Sequence, residues 1–76
     1  MKCVSSFSFD FEDLNESFYK LLKEEDFNFK TKNIGMKVSL GNTIEVKLEA
    51  DSILDLKIGS NALIKSLEII DKTLNI

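Results

Sequence analysis

Three segments of the chain alternate hydrophobic and polar residues, as strands do when a sheet buries one of its faces. They are residues 3–9, CVSSFSF, residues 34–40, IGMKVSL, and residues 44–50, IEVKLEA. We predict three strands whose apolar face meets a core and whose polar face is exposed to solvent. The core face comprises Cys3, Ser5, Phe7, Phe9, Ile34, Met36, Val38, Leu40, Ile44, Val46, Leu48 and Ala50.

The connection between the second and third strands can be predicted from side-chain parity. Gly41 and Asn42 would suit a two-residue hairpin turn. That turn would pair Val38 with Glu45 and so place an apolar and a charged residue on the same face. Pairing Leu40 with Ile44, across a three-residue loop or a bulge, keeps the apolar residues together. The sequence therefore favours the longer connection.

Two other segments show helical spacing. Leu14, Phe18, Leu21 and Leu22 form one apolar stripe, which predicts a helix that ends at about Glu25. A second and longer helical pattern follows the third strand.

The helix starts are predicted from residues that cap helices. Asp10 or Asp13 can cap the first helix, and Asp13 has the better capping-box spacing. Ser52, with Asp55 three residues later, begins the last helix, which runs to about Lys72 or to the end of the chain.

This pattern predicts one domain over residues 1–76 with the order β-α-β-β-α, an α+β fold. A right-handed first crossover and an all-antiparallel sheet give the strand order 1-3-2. Both helices then lie on one face of the sheet.

The last helix has apolar residues on two sides. One set recurs at alternating spacings of three and four, which is a seam suited to the core. A second stripe lies nearly opposite, and Lys57, Gly59, Asn61 and Lys65 fit the rim of an interface beside it. Gly59 and Ser66, seven residues apart, also form a shallow face where another backbone could approach closely. A small domain has little left to cover this stripe, so we expect another chain to cover it; the alternative is that the helix is buried between the sheet and the first helix. The seam is Ile53, Leu56, Ser60, Leu63, Leu67, Ile70 and Leu74, and the stripe is Leu54, Ile58, Ala62, Ile69 and Ile76.

Composition narrows the classes of function. The chain of 76 residues has no histidine, one cysteine and a formal net charge of −3. Lack of histidine removes Cys–His and Ser–His catalysis and most zinc sites, so we expect no enzyme activity, no cofactor and no metal. Cys3 is expected to be a small buried residue of the first strand in a reducing cytosol. No segment suggests secretion or a membrane span.

Residues 56–65, LKIGSNALIK, carry a resemblance to a known family. The chain resembles the small dimerising (Pcc-type) subunit of the KEOPS complex, the archaeal and eukaryotic assembly that makes threonylcarbamoyladenosine in transfer RNA. The family has this length and element order, with a signature Leu-Arg-Ala-x-x-Asn-Ser-x-x-Arg on its last helix. Leu56 and Asn61 match that signature, whereas Lys57 and Lys65 stand where arginine is usual.

The resemblance extends over most of the chain. Tyr19 and Glu25 fall where the family's first helix often has Tyr and Glu, and residues 38–51 are similar to its hairpin. Lysine lacks the bidentate fork of arginine, and Ile58 and Gly59 replace alanines, so local contacts are expected to differ.

The resemblance implies a cytoplasmic, non-catalytic scaffold subunit that forms a homodimer. Its helices would dock onto helices of the ATPase-fold transferase subunit of KEOPS, and it would contact transfer RNA indirectly or weakly. Which surface forms the homodimer and which meets the transferase stays open. The residues expected to contact another chain are Leu54, Lys57, Ile58, Asn61, Ala62, Lys65 and Ile69.

The residues also suggest two rival functions. Lys30, Lys32 and Lys37, with Phe27 and Phe29, offer a small basic and stacking surface that would suit a stand-alone RNA-binding module. The acidic net charge argues against it. A small enzyme or ligand-binding domain of the ferredoxin-like type has no Gly-rich, metal-spaced or triad-like motif to support it.

Overall fold

The structure, a computed structural model, describes residues 2–25 and 33–74. It has the predicted element order and the α+β fold. The elements are β1 (Cys3–Phe9), a 3-10 turn (Glu12–Leu14), α1 (Asn15–Glu24), β2 (Ile34–Leu40), β3 (Ile44–Ala50) and α2 (Ile53–Leu74).

The sheet is antiparallel with strand order β1-β3-β2, as predicted. Its register places Ala50 between Cys3 and Ile34 at one end of the sheet. At the other end Leu40 pairs with Ile44, which confirms the three-residue connection. All the apolar residues of the two hairpin strands therefore share one face.

Both helices cover that apolar face, and the core lies between them and the central strand. All core members are at most 7% exposed, so the contact excludes water. The hydrophobic core consists of Ile44, Val46 and Leu48 from β3, Phe18 and Leu22 from α1, and Leu63, Leu67 and Ile70 from α2.

The start of α1 differs from the predicted capping box. Asp13 makes no capping hydrogen bond to α1. Instead Glu12 has a left-handed backbone (φ 57°), which a non-glycine residue seldom adopts. Its N–H donates to Asp10 Oδ1 at 2.9 Å, and the Phe11 N–H donates to Asn15 Oδ1 at 2.6 Å. Asp10, the other residue predicted as a cap, therefore stabilises the turn between β1 and α1 by accepting this hydrogen bond.

The start of α2 is as predicted. The N–H of Asp55 donates to Ser52 Oγ at 3.1 Å, so one of the free N–H groups of the first turn is satisfied.

Gly59 lies on the sheet side of α2 and not on the rim of an interface, so its predicted position was wrong. A Cβ at this position would lie 3.2 Å from Ile34 Cγ2 and 3.5 Å from Leu48 Cδ2. Ser66, which shares the predicted shallow face with Gly59, is buried as well, at 8% exposure. Glycine therefore allows α2 to approach the sheet closely.

Replacing Gly59 with a large residue should destabilise the fold. Gly59→Leu would force side-chain atoms into Ile34 and Leu48, and we expect a loss of about 1–3 kcal/mol in the free energy of unfolding, as for other overpacked cores. Urea denaturation followed by circular dichroism measures it. Glu68→Leu, at an exposed site of α2, is the control and should change stability by less than about 0.5 kcal/mol. Equal effects of the two variants would contradict the close approach.

Candidate functional site

The inner side of α2 is fixed by its contacts with the core. The buried residues of this helix are Gly59, Leu63, Ser66, Leu67 and Ile70. At about 100° per residue they occupy one arc of the helix. Residues on the opposite arc therefore point away from the sheet.

The predicted contact residues share this opposite arc. They occupy about 140° of the helix circumference, so the structure brings all of them onto one continuous surface. We call this surface the outer face of α2. It consists of Leu54, Lys57, Ile58, Asn61, Ala62, Lys65 and Ile69.

The large apolar residues of the outer face are exposed. Leu54 is 67% exposed, Ile58 is 41% exposed and Ile69 is 57% exposed, while Ala62 is half-buried. The alternative that the protein buries both stripes of this helix within its own fold is therefore wrong for these residues. Ile76, the last member of the predicted stripe, lies outside the described residues. Contact with another chain stays a prediction.

Polar side chains run along the same surface. Lys57, Asn61 and Lys65 follow one another at a spacing of four residues, which places them side by side on the helix. All three are exposed, and in residues 2–25 and 33–74 none of their side chains forms an ion pair or a hydrogen bond. Their donors are free to bind carbonyl or carboxylate oxygens of a partner.

Exposed apolar residues also occur beyond the outer face. Ile53 is 66% exposed, so its predicted place in the buried seam was wrong. A seam of alternating three- and four-residue steps drifts by about 20° per seven residues on a straight helix. Ile53, at the start of the seam, lies about 80° round the helix from Leu63, and the drift accounts for about 30° of that angle. Ile64 is 41% exposed and borders the outer face, about 20° round the helix from Lys57.

The residues considered for RNA contact lie elsewhere. Lys37 is on the exposed face of the sheet, directly opposite Lys47 of β3. Glu45 and Glu49 are on the same face, so its charge is mixed. Lys30, Lys32, Phe27 and Phe29 lie outside the described residues, and the RNA surface therefore stays a prediction.

Glu49 forms ion pairs with two lysines on that sheet face. Its carboxylate lies 3.4 Å from Lys2 Nζ and 3.6 Å from Lys47 Nζ. The hydrogen bond and the charge of Lys2, and then the charge of Lys47, lower the pKa of Glu49. A carboxyl with a lowered pKa stabilises the fold when it is ionised, and that stability is lost as the pH falls through the folded-state pKa.

Removing Lys2 should raise the pKa of Glu49 toward its ordinary value. Lys2→Met deletes the largest cause of the shift and leaves the fold intact, because both groups are at the surface. A carboxyl-carbon NMR titration of Glu49 measures the change. Lys20→Met breaks the pair of Lys20 with Glu16 instead and should leave the Glu49 titration unchanged. An unmoved titration in Lys2→Met would contradict the assignment.

The described residues offer neither a metal site nor a membrane span. Across residues 2–25 and 33–74, no three His, Cys, Asp or Glu side chains stand close enough together to hold a metal ion. Neither helix in that part of the chain has the length and apolar character needed to cross a membrane.

No family model matches the chain, and no curated protein is significantly similar to it.

Proposed function

We propose that this protein is a non-catalytic scaffold subunit that docks the outer face of α2 onto helices of another chain. The observation that supports the proposal is the exposure of Leu54, Ile58 and Ile69 on one side of a single helix. Fully burying one such side chain stabilises an association by about 1.5–3 kcal/mol. A partner that covers all three gains a substantial driving force.

The outer face combines a row of apolar side chains with polar side chains along its border, as helix surfaces that bind other helices do. Leu54 and Ile58 are four residues apart and lie one above the other on the helix, as residues that enter a groove between two helices do. Ala62 continues the row with a small side chain, which permits close approach of a second backbone. Lys57, Asn61 and Lys65 border the row and can fix the orientation of a partner through hydrogen bonds.

The resemblance to the small KEOPS subunit supplies a candidate for the partner. On this proposal the partner is the ATPase-fold transferase subunit, the protein is a cytoplasmic homodimer, and it supports threonylcarbamoyladenosine formation without performing chemistry. The homodimer would bring two transferase assemblies together and help to hold transfer RNA. The support is Asn61 and Leu56 at the signature positions, with Asn61 on the exposed surface where a partner can reach it.

Charge at the centre of the outer face should abolish docking. Ile58→Asp places a carboxylate within the apolar row, and burying it unpaired against a partner is strongly unfavourable. We expect the variant to stay folded and to lose co-elution with the purified transferase subunit in size-exclusion chromatography.

Ile64→Asp is the matched control. Ile58 and Ile64 are the same residue type on the same helix and are both 41% exposed, but Ile64 lies about 120° round the helix from Ile58, beyond the Lys57 edge of the outer face. The control should fold and bind the transferase subunit like the unmodified chain. Co-elution of Ile58→Asp, or loss of binding by both variants, would refute the docking surface.

The RNA-binding alternative predicts a different result. A scaffold with a mixed-charge sheet face should bind transfer RNA weakly when isolated, with little dependence on salt concentration. An RNA-binding module should bind tightly, with an affinity that falls steeply as salt rises, since each neutralised phosphate releases counterions. Fluorescence anisotropy with labelled transfer RNA at several salt concentrations separates the two, and Lys37→Ala should reduce binding only for the module.

A further inference from the structure

The outer side of α2 is basic, although the chain as a whole is acidic. Lys57, Lys65 and Lys72 lie within about 80° of one another round the helix, and all three are exposed. Within α2, Glu68 is the one acidic residue in that arc. The chain carries a formal net charge of −3, so this basic surface is a local feature.

The charges of these lysines are not neutralised by the fold. In residues 2–25 and 33–74, neither the three lysines nor Glu68 forms an ion pair. Lysines elsewhere in the chain do pair with glutamate, at 3.4–3.6 Å between Nζ and a carboxylate oxygen. The ammonium groups on α2 are therefore available to a partner.

Lys57 and Lys65 are separated by a regular distance along the helix. They are eight residues apart, with Asn61 midway, which corresponds to about 12 Å along the axis. Any helix that lies along α2 repeats its own positions over a similar distance after two turns. Two carboxylates separated by seven or eight residues on such a helix can therefore reach both lysines.

The same arrangement disfavours contact between the outer faces of two copies of this chain. If two α2 helices packed antiparallel about Asn61, Lys57 of one copy would face Lys65 of the other. Parallel packing would place each lysine opposite its own counterpart. Like charges brought together across an interface are strongly unfavourable, so the outer face rejects its own copy and accepts the opposite charge.

We propose that the outer face of α2 binds an acidic helix of another protein, whose carboxylates lie two turns apart and pair with Lys57 and Lys65. This inference rests on the proposed function, because it specifies the chemistry of the partner surface at the same docking site. Apolar side chains of the partner helix cover Leu54, Ile58 and Ile69, while its carboxylates meet the lysines beside them.

The lysines contribute mainly to the rate and the selectivity of docking. Charges at the rim of an interface steer association and exclude wrong partners more than they add affinity. Salt screens such charges, with a Debye length of about 10 Å at 0.1 M and about 3 Å at 1 M. Docking should therefore weaken as the salt concentration rises, whereas burial of the apolar row is not weakened by screening.

A charge-swapped copy of the chain serves as the acidic helix in the first test. Lys57→Glu combined with Lys65→Glu keeps the apolar row and places carboxylates at the required spacing, at exposed positions where the fold is preserved. Mixed with the unmodified chain in about 50 mM sodium chloride, it should form a complex. Sedimentation velocity should then show a weight-average mass above that of either component alone, and the excess should disappear in about 0.5 M salt.

The matched control is Lys20→Glu combined with Lys37→Glu. This variant has the same net charge as the charge-swapped variant, but its changes are on exposed residues of α1 and β2. Its mixture with the unmodified chain should show only the masses of the components. No complex with the charge-swapped variant, or an equal gain in mass with the control, would overturn the inference.

Binding to the purified transferase subunit is the second test. Lys57→Gln combined with Lys65→Gln should weaken binding about tenfold in about 50 mM salt, the effect of two exposed ion pairs, and much less in about 0.5 M salt. Biolayer interferometry at both concentrations measures this, and Lys20→Gln combined with Lys37→Gln should bind like the unmodified chain.

The two tests separate this inference from the docking proposal. If the transferase subunit binds the unmodified chain and the Lys57→Gln, Lys65→Gln variant equally in low salt, the charge pairing is wrong while docking stands. If the transferase subunit does not bind the unmodified chain but the charge-swapped variant does, the docking partner is wrong while the preference for an acidic helix stands.

Discussion

A three-stranded sheet can bury only one side of a long helix, and this limit shapes the whole molecule. Strands spaced about 4.8 Å apart make a sheet about 10 Å wide, which is close to the diameter of one helix with its side chains. α2 has 22 residues and extends for about 33 Å, whereas a seven-residue strand extends for about 23 Å. The molecule accordingly measures 39 Å along its longest axis. With α1 taking part of the same sheet face, the elements within residues 2–25 and 33–74 have no further surface with which to cover α2.

The sequence specifies the strands well because their periodicity is strict. Residues 34–40 and 44–50 alternate without interruption, and the mismatch between Val38 and Glu45 is enough to reject a two-residue turn. The turn before α1 could not be predicted in the same way, because it depends on a contact distant in sequence. The Asn15 amide donates to Asp10 Oδ1 and also to the Asn42 carbonyl, at 3.1 and 3.2 Å. No local rule places Asn15 next to the hairpin loop.

In the candidate site too, local spacing predicts some positions, while others depend on tertiary contacts. Helical spacing was sufficient to place Leu54, Ile58 and Ile69 together, since only the angle around the axis matters. It was not sufficient for Gly59 or Ile53, because their burial depends on where the sheet meets the helix. Gly59 borders the seam on the side that faces Ile34 and Leu48, whereas Ile53, the first residue of the seam, lies at its opposite margin and is exposed. A stripe with alternating spacings of three and four residues turns by about 20° every seven residues round a straight helix. It therefore marks the core side of the helix only approximately.

The exposed part of α2 offers a partner side chains in place of backbone groups. A helix satisfies its own backbone hydrogen bonds, so on the docking proposal the outer face selects a partner by the shape of its apolar row and by the donors of Lys57, Asn61 and Lys65. The same helix would then have two tasks, because its buried arc holds the core and its outer face meets the partner. A substitution on the outer face is therefore expected to affect docking without affecting the core.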